Sequence, residues 1–194
     1  MPYAIIISGT QGTGKSTLYG EMKRLYHPLF VNTDGIVQFV AECNNEELTN
    51  ENYWNLRNTT LAKLLQDTIP KAAGINYKNV CWETTNASLS WILQLSHEYD
   101  QVYVYFVTVN QFETVWSRIN NRNQSQTNTK NKVKQLFDEG KQHASFIQNI
   151  FEFMHQQGQY LNVHIETKDN SFPSTRAATA HQMSKRELFQ LRLV

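Results

Sequence analysis

The segment Gly9-Thr10-Gln11-Gly12-Thr13-Gly14-Lys15-Ser16 decides the fold. It matches G-x-x-x-x-G-K-[ST] at every fixed position, which is the sequence signature of a P-loop. The apolar run YAIIIS at residues 3–8 precedes it, and Leu18 and Met22 follow it at helical spacing. Because the signature requires a strand before the loop and a helix after it, a chance glycine-rich turn is the weaker interpretation.

The residue types of this segment suit the binding of phosphate groups. Glycines let the backbone approach an anion without a Cβ in the way, and N–H groups at a helix N-terminus point toward negative charge. Lys15 adds a full positive charge for the β- and γ-phosphates, and the Ser16 hydroxyl suits a magnesium ion. The sequence therefore predicts a nucleoside triphosphate and Mg²⁺ as cofactors, with the nucleotide bound by Gly9, Thr10, Gln11, Gly12, Thr13, Gly14, Lys15, Ser16 and Thr17. ATP is the nucleotide that we expect, with GTP as the alternative, because these residues do not read the base.

Beyond this segment, short apolar runs alternate with amphipathic stretches. Residues 35–73 predict two or three helices, and a long helix is expected from about 131 to 157, with Gly140 as a point where it bends or breaks. The alternation predicts one α/β domain over residues 1–194, with three α/β/α layers around a five-stranded parallel sheet and a tail from about 167 that holds a helix from Ser184. Strands are expected at residues 3–8, 29–33, 80–85, 101–109 and 161–166.

Charge and cysteine content argue against several classes of protein. The 18 Lys and Arg residues are balanced by 17 Asp and Glu residues, which argues against a long nucleic acid as partner. Cys43 and Cys81 have neither metal-ligand spacing nor a disulfide framework. No apolar run approaches the roughly 20 residues of a membrane span, and no basic segment of a signal peptide precedes the first apolar run. We therefore expect a soluble, cytoplasmic protein without a membrane partner.

The motifs that accompany the P-loop separate three classes of P-loop protein. A GTPase requires N-K-x-D to read guanine, and Thr167-Lys168-Asp169 is only a partial echo of it. A motor ATPase usually has an apolar strand that ends in Asp-Glu, whereas the third predicted strand ends in Glu83-Thr84-Thr85. A short chain without either motif favours a small kinase.

Acidic and aromatic residues at the ends of two predicted strands are candidates for the acceptor site. Asp34 follows the second strand, where a carboxylate can accept the proton of an acceptor hydroxyl, although it could instead cap the next helix. Glu83 could order a magnesium-bound water, hold the acceptor, or serve as a structural partner for a backbone N–H. Trp82 could stack on an acceptor ring, with core packing as its alternative role.

Basic residues cluster around a polar segment that predicts a lid over about residues 118–134. Arg118 and Arg122 lie four residues apart on one helical face, directly before NQSQTNT. Small kinases stabilise charge on the transferring phosphoryl group with lid arginines, so both are candidate catalytic residues beside Lys15 and Asp34. A solvated basic helix end is the alternative, and Lys130, Lys132 and Lys134 are alternative lid cations.

Taken together, these motifs resemble the zeta-toxin and polynucleotide-kinase branch of P-loop kinases. The resemblance rests on residues 9–16, Asn32-Thr33-Asp34, Glu83-Thr84-Thr85 and the Arg118/Arg122 pair, within roughly residues 3–125. It implies the strand order 2-3-1-4-5, Asp34 as acceptor base and the arginine pair as the lid.

The function that the sequence predicts is an ATP-dependent kinase that phosphorylates a hydroxyl of a small molecule or nucleotide. One alternative is a kinase of polynucleotide 5′-hydroxyls. Another is a nucleotide-dependent regulatory protein that phosphorylates nothing. Asp34 separates this last class from the others, because a pure switch does not require a base opposite the γ-phosphate.

Overall fold

The computed structural model describes residues 2–26, 28–49, 51–75, 79–121, 129–159 and 161–170. Strands and helices alternate through most of this part of the chain, as the sequence predicts. The strands are β1 (Tyr3–Ser8), β2 (Leu29–Asn32), β3 (Val80–Thr84), β4 (Gln101–Thr108) and β5 (Val163–Asp169). The helices are α1 (Lys15–Tyr26), α2 (Thr33–Cys43), α3 (Tyr53–Arg57), α4 (Thr60–Ile75), α5 (Leu89–Glu98), α6 (Phe112–Asn120) and α7 (Lys130–Gln156).

The five strands form one parallel sheet in the order β2-β3-β1-β4-β5. This confirms the predicted five-stranded parallel sheet, and its order is the one that the resemblance implies. β1 lies at the centre with five of its six residues buried, which explains why its sequence is apolar throughout. The P-loop that follows it therefore starts in the middle of the sheet's carboxyl edge.

Alternate residues of the strands pack against helices on the two faces of the sheet. Ile6 and Val104 belong to a cluster that α2, α4, α5 and α7 cover, whereas Ile5 and Ile7 belong to a second cluster with Leu18 of α1. Because side chains alternate along a strand, each central strand supplies both cores. Helices therefore lie on both faces, as the predicted three-layer arrangement requires.

Two of the helical predictions can be compared with the structure directly. The predicted helical region 35–73 consists of three helices, α2, α3 and α4. A break at Gly140 is wrong, because α7 runs without interruption through this position. A Cβ at Gly140 would lie 3.2 Å from Cγ2 of Thr10, so this glycine lets the helix pass close to the P-loop. The predicted helix from Ser184 and most of the tail lie outside the described residues.

None of the described helices is both long enough and apolar enough to span a bilayer.

Candidate active site

The P-loop connects β1 to α1 and has the backbone conformation that its glycines permit. Gly12 and Gly14 have φ angles of 83° and 97°, in the left-handed region that other residues rarely adopt. Gly9 is required for a different reason, since a Cβ there would lie 2.5 Å from the carbonyl oxygen of Val107. The N–H of Gly9 donates to the carbonyl oxygen of Thr84 at 3.2 Å, which joins the loop to the end of β3.

Two threonines hold the loop from inside. The Thr13 hydroxyl donates to the carbonyl oxygen of Thr10 at 2.8 Å, and the two residues are only 2% and 4% exposed. The first N–H groups of a helix have no acceptor earlier in that helix, so the start of α1 directs donors toward the loop. These hydrogen bonds therefore hold the loop in a shape that suits an anion.

Lys15, Ser16 and Glu83 meet at the mouth of the loop. The Lys15 ammonium donates to the carbonyl oxygen of Thr10 at 3.3 Å and lies 3.8 Å from Oε1 of Glu83. The Ser16 hydroxyl lies 3.5 Å from Oε2 of the same carboxylate. Glu83 therefore faces the phosphate-binding loop, and hydroxyl and carboxylate oxygens of this kind are the donors that Mg²⁺ prefers.

Arg118 lies against the outer side of the P-loop. Its guanidinium donates to the carbonyl oxygen of Gly12 at 3.3 Å and to that of Asn170 at 2.7 Å. The Asn170 amide in turn donates to the carbonyl oxygen of Thr13 at 2.8 Å. Arg118 thus joins α6, the P-loop and the end of β5, whereas Arg122 lies outside the described residues.

Asn170 is a site residue that the sequence interpretation missed. It directly follows β5, so its position at the carboxyl edge of a parallel sheet was the available signal. Its contact with Thr13 joins residues 157 positions apart, and local spacing gives no indication of such a contact.

The three alternative lid lysines make surface contacts near the start of α7. Lys130 pairs with Glu113 at 3.2 Å, and Lys134 pairs with Asp138 at 2.7 Å. Lys132 donates to Gln135 of its own helix at 3.2 Å. These contacts give the lysines local partners in the structure as described.

Asp34 lies in the first turn of α2, on the other side of the P-loop. The alternative role as helix cap belongs to Asn32, whose side chain accepts from the N–H of Gly35 at 2.6 Å. Asn32 is paired with Glu83 in the sheet, and Glu83 contacts Lys15 and Ser16 of the P-loop. Asp34 follows Asn32 by two residues, at the same edge of the sheet. Asp34 is exposed, and its Oδ1 accepts a hydrogen bond from the Tyr53 hydroxyl at 2.5 Å.

A polar cleft of about 400 Å³ lies between the end of β3 and helices α3 to α5, and α2 contributes Thr33, the residue before Asp34, to its lining. Trp82 contributes to its wall but is only 4% exposed and packs edge-on against Trp91 at 5.3 Å, so most of its ring serves the core. Arg57 of α3 also lines the cleft, and no sequence pattern marked it. The full lining is Thr33, Arg57, Gln66, Asp67, Trp82, Thr84, Asn86, Ser88, Ser90, Trp91 and Gln94.

Comparisons with known proteins match this chain at the level of the fold. No protein-family model matches the sequence, and no relative is found among the curated proteins. Among solved structures, a proposed kinase from Chloroflexus aurantiacus has a TM-score of 0.62 at 13% identity, with 97% of each chain covered.

Two shikimate kinases are similar in the same way. The enzyme from Aquifex aeolicus has a TM-score of 0.56 at 14% identity, with 96% of this chain and 98% of that chain covered. The enzyme from Bacteroides thetaiotaomicron has a TM-score of 0.54 at 12% identity, with coverage of 97% and 98%. At such identities the likeness establishes the fold alone, which is that of P-loop kinases. The narrower resemblance to the zeta-toxin branch stays a prediction.

Proposed function

We propose that this chain is an ATP-dependent phosphotransferase that moves the γ-phosphoryl group to a hydroxyl of a small molecule or nucleotide. The observation that carries the proposal is the arrangement around one edge of the sheet. The P-loop with Lys15 adjoins the end of β3, and the polar cleft, which Thr33 lines next to Asp34 in the chain, begins at that same strand end. Donor and acceptor sites in such proximity are what phosphoryl transfer requires.

On the nucleotide side, each residue has a role that its contacts support. The loop backbone and Lys15 hold the phosphates, and Ser16 is the protein ligand for magnesium. When bound, Mg²⁺ neutralises part of the charge on the β- and γ-phosphates. Glu83, whose carboxylate lies near both Lys15 and Ser16, would help to hold that ion on the phosphate side of the site rather than bind the acceptor.

Arg118 holds the outer side of the loop through Gly12 and Asn170. In the proposed mechanism it contributes by keeping the loop in place around the nucleotide. Arg122, four residues further along the sequence, is the lid residue that stabilises charge on the transferring phosphoryl group.

On the acceptor side, Asp34 is the general base. Its carboxylate accepts the proton of the acceptor hydroxyl as that oxygen attacks the γ-phosphorus. The acceptor occupies the polar cleft, where hydroxyl and amide side chains can bind its other polar groups. Among the described residues that line this cleft, Arg57 is the one basic side chain, which favours a small acceptor over a polynucleotide with several phosphates.

The test is phosphoryl transfer from γ-labelled ATP to a panel of hydroxyl compounds by the Asp34→Asn variant. The amide keeps the shape but cannot accept the proton, so transfer should fall by about 10²–10⁴-fold, the usual contribution of a general base. ATP affinity, measured by calorimetry, should stay the same or rise slightly because a negative charge near the phosphates is removed.

Asp138→Asn is the matched control, because it makes the same chemical change on the surface of α7. Thermal melts establish that both variants are folded. Full transfer by a stably folded Asp34→Asn variant would contradict the base role and favour a nucleotide-dependent regulatory protein.

A further inference from the structure

The carboxylate assigned as general base is held by a second side chain. The Tyr53 hydroxyl donates to Oδ1 of Asp34 at 2.5 Å, which is the length of a short hydrogen bond to a charged acceptor. Burial, together with the hydrogen bond to Asp34 and its negative charge, raises the pKa of Tyr53 well above the usual tyrosine value of 10. The hydroxyl therefore keeps its proton, and remains a donor, across the neutral range.

Tyr53 is itself fixed by its surroundings. Its N–H donates to the carbonyl oxygen of Thr49 at 3.0 Å, at the start of α3. The preceding turn is held by Asn52, whose side chain accepts from the N–H of Thr49 at 2.8 Å and donates to the carbonyl oxygen of Glu47 at 3.0 Å. The ring is half-buried against the core and meets Trp54 edge-on at 5.4 Å. A donor held in this way restrains the group that it contacts.

Asp34 lacks such restraint in its own position. It is exposed in the first turn of α2, and the terminal torsion of an aspartate side chain is broad. A carboxylate that turns freely presents either oxygen in many directions, whereas a general base must meet its proton within hydrogen-bond reach. One oxygen of Asp34 is engaged by Tyr53, so the other is the one available to an acceptor.

We propose that Tyr53 is a positioning residue that orients the Asp34 carboxylate for phosphoryl transfer, an inference that rests on the base role proposed above. Tyr53 holds Oδ1, and Oδ2 faces the acceptor hydroxyl. The acceptor oxygen forms its bond to the γ-phosphorus while the bond from that phosphorus to the bridging oxygen of ADP breaks. The acceptor proton passes to Oδ2, and the Tyr53 proton stays on its own oxygen.

The contact has an opposite interpretation, in which Tyr53 occupies the base and must leave before an acceptor binds. The Tyr53→Phe variant separates the two, because it removes one hydroxyl and keeps the ring that packs on the core. A positioning role predicts slower turnover in this variant, and a blocking role predicts faster turnover.

The experiment measures phosphate release from γ-labelled Mg·ATP, with water as the acceptor hydroxyl. Loss of one hydrogen bond to a charged group should lower kcat by about tenfold in Tyr53→Phe, while the KM for ATP stays within about twofold. Tyr103→Phe is the matched control, since the Tyr103 hydroxyl is buried in β4 and has no hydrogen-bond partner among the described residues. Turnover in Tyr53→Phe that equals or exceeds the wild-type rate, whatever that rate is, overturns the proposal.

A double variant shows whether Tyr53 acts through Asp34. If it does, Tyr53→Phe should change nothing further in an Asp34→Asn background, because the oriented base is already gone. Independent, additive losses would refute the positioning role. Full turnover by Asp34→Asn alone would instead refute the base role, and a loss in Asp34→Asn without a loss in Tyr53→Phe would refute only the positioning role.

Discussion

The proposed nucleotide site is formed mostly by one contiguous segment of the chain. The proposed acceptor site is formed by side chains from several separate segments. Residues 9–16 form the P-loop, with Thr10 and Thr13 almost fully buried. The proposed acceptor cleft takes its lining from β3, four helices and the segment between β3 and α5, and most of those residues are half-buried rather than buried. Phosphate is bound largely by backbone N–H groups, which a short segment can supply. A hydroxyl compound is recognised by side chains, which the fold must gather.

This difference predicts where mutations should act. Changes in the P-loop should alter nucleotide binding or the loop itself, because its shape depends on glycines and internal hydrogen bonds. Single changes in the acceptor cleft should alter transfer while leaving nucleotide affinity in place. A P-loop variant with normal nucleotide binding, or a cleft variant with altered nucleotide affinity, would contradict this difference.

The largest effect is expected for Lys15→Ala. The lysine adds a full positive charge to the loop, so turnover should fall by about 10²–10³-fold, the usual loss when one group that stabilises transition-state charge is removed. Calorimetry with a non-hydrolysable ATP analogue and Mg²⁺ should show clearly weaker binding. Lys63→Ala on the exposed surface of α4 is the control. Equal affinity of Lys15→Ala and wild type for the ATP analogue would contradict the assignment of residues 9–16 as a nucleotide-binding P-loop.

Substitutions of Arg118 and Arg122 should affect different quantities, ATP binding for the first and kcat for the second. Arg118 holds Gly12 and Asn170, so Arg118→Ala should weaken ATP binding by about tenfold, as expected for the loss of charged hydrogen bonds. Arg122→Ala should lower kcat more than it weakens binding, because a lid arginine acts on transition-state charge. Steady-state kinetics and calorimetry on both variants measure the split. A raised KM with normal kcat in Arg122→Ala would make it a ground-state contact.

A smaller effect, on stability rather than turnover, is expected from two glycine substitutions. Gly9→Ala puts a Cβ 2.5 Å from the carbonyl oxygen of Val107, so the backbone must shift, at a cost of about 1–3 kcal/mol. Gly20→Ala meets no atom within 4 Å in the middle of α1 and should stabilise by about 0.5–1 kcal/mol. Urea unfolding of both variants tests this. Similar stability in the two would contradict the tight approach of the loop to β4.

The residues of the proposed nucleotide site can be predicted from the sequence better than those of the proposed acceptor site. The P-loop, the strands and the sheet class follow from residues adjacent in the chain, so pattern and spacing predict them. Tyr53, Arg57 and Asn170 were not predicted, because each acquires its contact only after distant segments meet. Asn32, rather than Asp34, caps α2. The sequence does not distinguish the two, because Asn and Asp are both common helix caps. Gly140 was interpreted from its helix propensity alone. In the structure a Cβ at this position would crowd the Thr10 side chain, a contact that the sequence does not reveal.

The smallest effect concerns two tyrosine hydroxyls that differ in their hydrogen bonds within the described part of the chain. Tyr53 donates to Asp34, whereas the buried Tyr103 hydroxyl of β4 has no hydrogen-bond partner in the part of the chain that the structure describes, and its ring stacks on His164 at 5.0 Å. Burial raises the pKa of Tyr103 to about 12, from the usual 10. The folded protein therefore keeps this proton where the unfolded chain has lost it. The resulting contribution to stability is full below pH 10 and is lost as the pH rises toward 12.

Tyr103→Phe should accordingly change stability little at pH 7, by less than about 1 kcal/mol, since removing an unpartnered buried hydroxyl is nearly neutral or favourable. Above pH 10 the variant should become increasingly more stable than wild type, because it has no phenol to ionise on unfolding. Urea midpoints measured at pH 7 and from pH 10 upward test this, with Tyr53→Phe alongside. A Tyr103→Phe variant that loses stability at pH 7 would mean that its hydroxyl has a partner after all, and the contrast with Tyr53 would disappear.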